Sequence, residues 1–135
     1  MKLRDLTVSE GLEAYRDTGM IPDSGSCYYR NQNKDDCGCL VGALAVKQGF
    51  QLSDNHSSDS SFFKFLGLKT SQASSLTMGF DTGYLDSGKN PVGNRAAYQV
   101  GRIMYGLASA LMTASEEERK VIIQAAIDNL PKRVK

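Results

Sequence analysis

The chain has 135 residues, 41% hydrophobic and 23% charged, with 16 Lys and Arg against 15 Asp and Glu for a net charge of +1. That length suits one domain, residues 1–135, around a single core, and the composition is that of a folded soluble protein rather than a disordered chain. So small a net charge sets up no field to draw in phosphate backbones or anionic lipid. Nucleic-acid binding and membrane attachment are therefore not expected.

The N-terminus, "MKLRDLTVSEGLEAY", is charged throughout and shows no secretory signal. The longest apolar run, Cys39 to Val46, is under half the roughly 20 residues needed to cross a bilayer. A cytoplasmic, reducing compartment follows as the expectation, and three cysteines do not close a disulfide framework.

In chain order, Thr7 with Glu10 forms a capping box and Gly19 a C-terminal stop, which predicts a first helix near residues 8–18. Met20 to Asp36 is rich in proline, glycine, serine and asparagine, a long connection with room for a short β-hairpin near residues 25–31, around "SCYYR". The stretch "DDCGCLVGALAVKQG" predicts a short second helix, capped by Asp35 or Asp36 and ended by Gly49. The polar "QLSDNHSSDSS", which carries His56, predicts an exposed loop before a short "FFKFLG" element.

A further short helix is expected to start at Thr70 or Ser71, place Leu76 inward and stop at Gly79. Residues 79–94, "GFDTGYLDSGKNPVGN", then read as a glycine-rich acidic loop. Asn90 followed by Pro91 suits the start of a central helix reaching about Thr113. On it Val100, Ile103, Met104, Leu107 and Leu111 make an apolar stripe, and Gly93, Ala97 and Gly101 a small face at steps of four. That small face should lie against another helix, of this chain or of a second copy in a homodimer. The last helix opens with the Ser115/Glu118 capping box.

The sum is an all-α, irregular single-domain bundle of five or six helices with long polar loops. Taken together, the "CGCLVGAL" helix start, the "LGL" turn, the "GFD" loop and the closing amphipathic helix resemble a scattered group of small bacterial and bacteriophage proteins. That group often carries a Cys-Leu-Gly or Cys-x-x-Gly-Ala helix start. Here Gly38 separates two cysteines that many of the group have adjacent. The resemblance implies no activity, because the group has no agreed catalytic residues.

Cys27, Cys37, Cys39 and His56 are the right residue types for zinc, but C-x9-C-x-C lacks the C-x2-C knuckle that positions paired thiolates. A helix N-terminus favours a reactive thiol, while Asp35 and Asp36 oppose ionisation. Burial as small hydrophobes is the simplest role for the cysteines. "GYLDSGKN", residues 83–90, imitates a phosphate loop but offers Asn90 where serine or threonine must meet magnesium, and no apolar strand precedes it. The only histidine lies in a serine-rich loop, which leaves nucleophilic catalysis without a placed base.

No enzyme and no cofactor are expected. The remaining classes are a small interaction protein, such as a phage or mobile-element accessory factor acting on a host protein, and a binder of a small anionic ligand. For either, Tyr84, Lys89, Asn90, Asn94 and Arg95 are the expected contact residues, grouped at the start of the central helix where unpaired amides attract an anion. A cysteine-based metal or redox protein is the third alternative.

Overall fold

The computed structural model describes residues 5–50, 59–85 and 93–131. Within them the elements run α1 (Val8–Thr18), β1 (Ile21–Pro22), β2 (Tyr29–Arg30), β3 (Asp36–Gly38), α2 (Leu40–Lys47), α3 (Asp59–Phe65), α4 (Thr70–Leu85), α5 (Arg95–Thr113) and α6 (Glu116–Asp128). The protein is mostly helical, as expected, but a small sheet qualifies the all-α expectation.

Helices α1 and α6 obey their local signals. Thr7 and Glu10 cap α1 reciprocally, with amide bonds of 3.1 and 3.0 Å, and Gly19 ends it at φ +70°. Ser115 and Glu118 do the same for α6 at 3.2 and 3.0 Å.

The sheet has the order β1-β3-β2, with β1 parallel and β2 antiparallel to β3. The hairpin thus joins residues 29–30 to 36–38 rather than lying within residues 25–31. Its turn is tied by Asn31, whose side chain accepts from the Asn33 and Asp35 amides at 2.9 Å each. Pro22, which has no amide to donate, sits in edge strand β1.

Because Asp36 belongs to β3, it does not begin a helix, and Asp35 lies still earlier. The N-cap of α2 is Cys39, and Gly49 follows its end at φ +98°. Leu40, Val41, Ala43, Leu44 and Ala45 are all buried, so this helix is apolar on every side and sits inside the core with Leu12, Tyr15, Phe62, Phe80 and Met104 around it.

The largest departure concerns α4 and α5. Helix α4 does not stop at Gly79 but continues to Leu85, so the first half of the expected 79–94 loop is helical. Its glycines are explained by packing. A Cβ on Gly79 would lie 2.4 Å from the Asn94 carbonyl oxygen, one on Gly83 2.1 Å from that of Tyr98, and one on Gly101 2.3 Å from that of Phe80.

The contacts ascend together, Gly93 on Ser75, Gly79 on Asn94 and Ala97, Gly83 on Tyr98 and Arg102, so the two helices run side by side in the same direction. The small face formed by Ala97 and Gly101, considered above for a homodimer, is filled by α4 of the same chain. Helix α5 begins at Arg95 with Asn94, not Asn90, as N-cap; the Asn94 side chain accepts from the Ala97 amide at 2.9 Å.

Among the described residues one charged side chain, that of Arg119, is built into the interior. Arg119, 3% exposed, donates to the carbonyls of Gly19 (3.0 Å) and Ala114 (2.8 Å) and to the Asp35 carboxylate (3.3 Å). It ties the end of α1, the α5–α6 junction and the approach to β3 at one point. No described helix is long and apolar enough to cross a membrane.

Candidate functional site

The site is built where residues 25–27 cross the start of α2. In the sequence "CGCLVG", Gly38 and Gly42 leave a groove that the backbone of Cys27 occupies: a Cβ on Gly42 would meet the Cys27 carbonyl oxygen at 1.7 Å and one on Gly38 would meet it at 2.1 Å. The Cys39 amide donates to the Ser26 carbonyl at 2.9 Å, and the buried Tyr15 hydroxyl donates to the Gly38 carbonyl at 2.8 Å. This backbone lacing brings Cys27 against Cys39.

Cys39 caps α2 in an extended conformation, φ −80° and ψ 178°. Its sulfur is lowered in pKa from the ordinary 9.0, chiefly because the Cys27 thiol hydrogen-bonds to it. Burial opposes this, the amides of Gly42 and Val41 assist, and Asp81 opposes weakly. No capping hydrogen bond of ordinary geometry is made, so these amides act as dipoles facing the sulfur rather than as a formed cap.

The two thiols line a pocket of about 160 Å³ together with Gly25, Ser26, Phe63 of α3, and Thr77 and Asp81 of α4. Asp81 is held at the rim by the Gly25 amide, 3.3 Å from one carboxylate oxygen. Thr77 turns its hydroxyl back to the Ala73 and Ser74 carbonyls at 3.0 and 3.1 Å. Beneath the site a row of rings runs outward, Tyr15 to Phe80 at 6.0 Å, Phe80 to Tyr84 at 5.6 Å and Tyr84 to Tyr105 at 6.1 Å.

Cys37 has different surroundings. Its thiol donates to the Asp35 carbonyl at 3.6 Å, and burial pushes its pKa up; Tyr29 opposes the rise, and Asp23, Asp35 and Asp36 reinforce it. The sequence argument that the aspartates oppose ionisation holds for Cys37. It fails for Cys39, which is the residue at the helix terminus. All three cysteines are 2% exposed and none is in a disulfide.

Among the described residues no group of three or more His, Cys, Asp and Glu side chains is arranged to hold a metal ion. His56 lies outside the described residues. The set Cys27, Cys37, Cys39 and His56 is thus divided, with Cys27 and Cys39 as one pair and Cys37 directed elsewhere.

Of the five residues expected around the start of the central helix, Tyr84, Asn94 and Arg95 are among the described residues. Tyr84 is half-buried, stacks on Phe80 and donates its hydroxyl to the Pro22 carbonyl at 3.2 Å. Asn94 is occupied by the α5 cap, and Arg95 is exposed in the first turn. Lys89 and Asn90 lie outside the described residues, as does most of the imitation phosphate loop.

Comparison with protein-family models, with curated proteins and with solved structures finds no match.

Proposed function

We propose that the protein is a small thiol-responsive protein whose working group is the Cys27–Cys39 pair, cycling between dithiol and disulfide without catalytic turnover. The observation that carries this is that Cys27 and Cys39, twelve residues apart in sequence, line one pocket at the head of α2, where Cys39 is the N-cap and its amide donates to the Ser26 carbonyl at 2.9 Å. A pair placed only to fill the core needs neither the facing amides nor the pocket. In a reducing compartment the pair rests as thiols, and oxidation closes a loop that holds residues 25–27 to α2.

The test uses the full chain carrying Cys37→Ala, so that the peptide containing Cys39 has a single cysteine. Diamide, a thiol-specific oxidant, is expected to link the Cys27 and Cys39 peptides. Dithiothreitol should reverse the link with the helical circular-dichroism signal retained. A folded chain that stays unlinked refutes the proposal.

A second reading, a non-catalytic interaction protein acting on another protein, is favoured by one feature. Met78 and Leu85 of α4, seven residues apart, and Tyr105 and Met112 of α5, also seven apart, are 50, 62, 52 and 63% exposed. Met78→Glu with Met112→Glu should leave the melting temperature unchanged and abolish partner capture if these exposed residues make the contact. An anionic ligand at residues 79–95 retains Arg95 as its exposed cation among the described residues of that segment.

A further inference from the structure

We propose, independently of the dithiol reading, that the C-terminal half of α5 is the docking face for a second copy of this chain, the two α5 helices running antiparallel with Ser109 of each at the two-fold axis. Gly106 marks the face. Glycine weakens a helix interior, and this chain otherwise places it there where another part of the chain passes close: a Cβ on Gly11, Gly42, Gly79, Gly83 or Gly101 would lie 1.7 to 2.6 Å from such an atom. Gly106, inside α5, is the exception, with nothing among the described residues within 4 Å of the same position.

The residues around Gly106 have the character of an interface. Helix α4 packs along α5 through Gly101, reaches Tyr105 with the ring of Tyr84 at 6.1 Å between centroids, and ends at Leu85, while α5 runs on to Thr113. Arg102, Tyr105, Gly106, Ser109, Met112 and Thr113 follow one another at steps of three and four, so they share one side of the helix, and all are exposed. Arg95 and Arg102 are the only charges in α5. Beyond Arg102 this side therefore presents tyrosine, methionine and small side chains with no lysine, aspartate or glutamate, the composition of an interface core rather than of a solvated helix.

The face is complementary to itself, which selects a second copy as its occupant. In an antiparallel pair centred on Ser109, residues equally far on either side of it come level: Gly106 with the second copy's Met112, and Arg102 with the second copy's Glu116. Each methionine, long and adaptable, fills the space that a side chain at the opposing Gly106 would take, and the two-fold repeats the exchange. At both ends the basic Arg102 meets the acidic opening of α6, Glu116, Glu117 and Glu118, whereas a parallel pair would set Arg102 against Arg102. One helix face is a small interface, so the pair forms at high protein concentration and separates on dilution.

The test is sedimentation of the full chain, kept reduced, over a wide concentration range. The wild-type mass is expected to rise from one chain to two. Gly106→Leu should hold the mass of one chain throughout, yet melt no lower than wild type at dilution, because the new side chain meets nothing in its own chain and occupies the seat of Met112. Ser109→Glu and Ser109→Lys should each abolish the pair by setting like charges together at the axis, and mixing those two chains should restore it. Circular dichroism checks that every variant is folded.

A wild-type chain that stays monomeric at the highest concentration overturns the proposal with no substitution made. A pair that survives Gly106→Leu or Ser109→Glu lies on another face and overturns it as well. Failure of the Glu and Lys chains to associate, where wild type does, refutes the antiparallel axis at Ser109. None of these results touches the thiol reading, which the diamide link tests separately.

Discussion

The close approach of α4 and α5 can be tested by one substitution made at two positions of the same helix. At Gly101 an added methyl would lie 2.3 Å from the Phe80 carbonyl oxygen and 2.7 Å from the Tyr84 amide nitrogen, both backbone atoms that do not swing aside. At Gly106, five residues on, nothing lies within 4 Å of the same methyl. Intrinsic propensity favours alanine over glycine inside a helix by about 0.8–1 kcal/mol at either site. Gly106→Ala should receive that gain undiminished.

At Gly101 the two backbones must part by about an ångström, an overpacking cost of about 1–3 kcal/mol, which leaves a net loss of up to about 2 kcal/mol. For a domain of this size each kcal/mol shifts the melting temperature by about 4 °C. Urea titration with a common m-value is the assay. Gly106→Ala should raise the midpoint, and Gly101→Ala should lower it, as should Gly83→Ala, whose methyl would lie 2.1 Å from the Tyr98 carbonyl oxygen. Equal shifts of one sign at all three positions would refute the packing argument.

Arg119→Met should cost about 3 kcal/mol, because it leaves the Gly19 and Ala114 carbonyls and Asp35 without their donor; Asp35→Asn, at a partly exposed partner, should cost well under half as much by the same denaturation assay. Gly42→Ala should displace Cys27 from the groove its carbonyl fills, seen as loss of the diamide-formed link even where a melting transition survives. Alkaline stability should fall steeply. Burial first, then Cys39 and other acidic neighbours, raise Tyr15 well above 10.0, and burial raises Tyr84 and Cys37, so their stability is complete below the unfolded values of 10.0 and 9.0 and is lost as pH rises toward the folded ones. Cys39 has the opposite sign, its contribution growing up to pH 9.0, so a melting-temperature profile should bend down only above that pH, and Tyr15→Phe should shallow the bend. Thr7→Ala and Ser115→Ala should each cost about 1 kcal/mol and speed amide exchange in the first turn of α1 and α6 respectively.

What the sequence made legible was local. Thr7, Glu10 and Gly19 bound α1, and Ser115 with Glu118 opens α6, because a capping box satisfies its amides within four residues and needs no tertiary partner. The α4–α5 region misled for the same reason in reverse. Gly79 looks like a helix stop, and at Gly19 that inference succeeds. At Gly79 the glycine is instead the place where another backbone passes, which only the contact with Asn94 and Ala97 reveals. Had Gly79 and Gly83 been set beside Ala97 and Gly101, the shared step of four would have signalled two small faces meeting. Arg119 gave no signal at all, since its three partners come from residues 19, 35 and 114.

The cysteine site turned on a shift of a few residues. Placing the helix start at Asp35 or Asp36 makes those carboxylates the neighbours of the terminal thiol and argues against ionisation. Placing it at Cys39, after a strand that takes up residues 36–38, puts Cys37 in that acidic setting and gives Cys39 the amides instead. Gly38 and Gly42 then acquire one purpose: a side chain at either would collide with the Cys27 carbonyl. Core filling alone can be met by alanine at such positions. The cost of two glycines, in chain entropy and in lost apolar contact, is offset here by bringing a third cysteine, distant in sequence, onto the sulfur that caps the helix. That juxtaposition is the strongest physical reason to regard the pair as a working group rather than as packing.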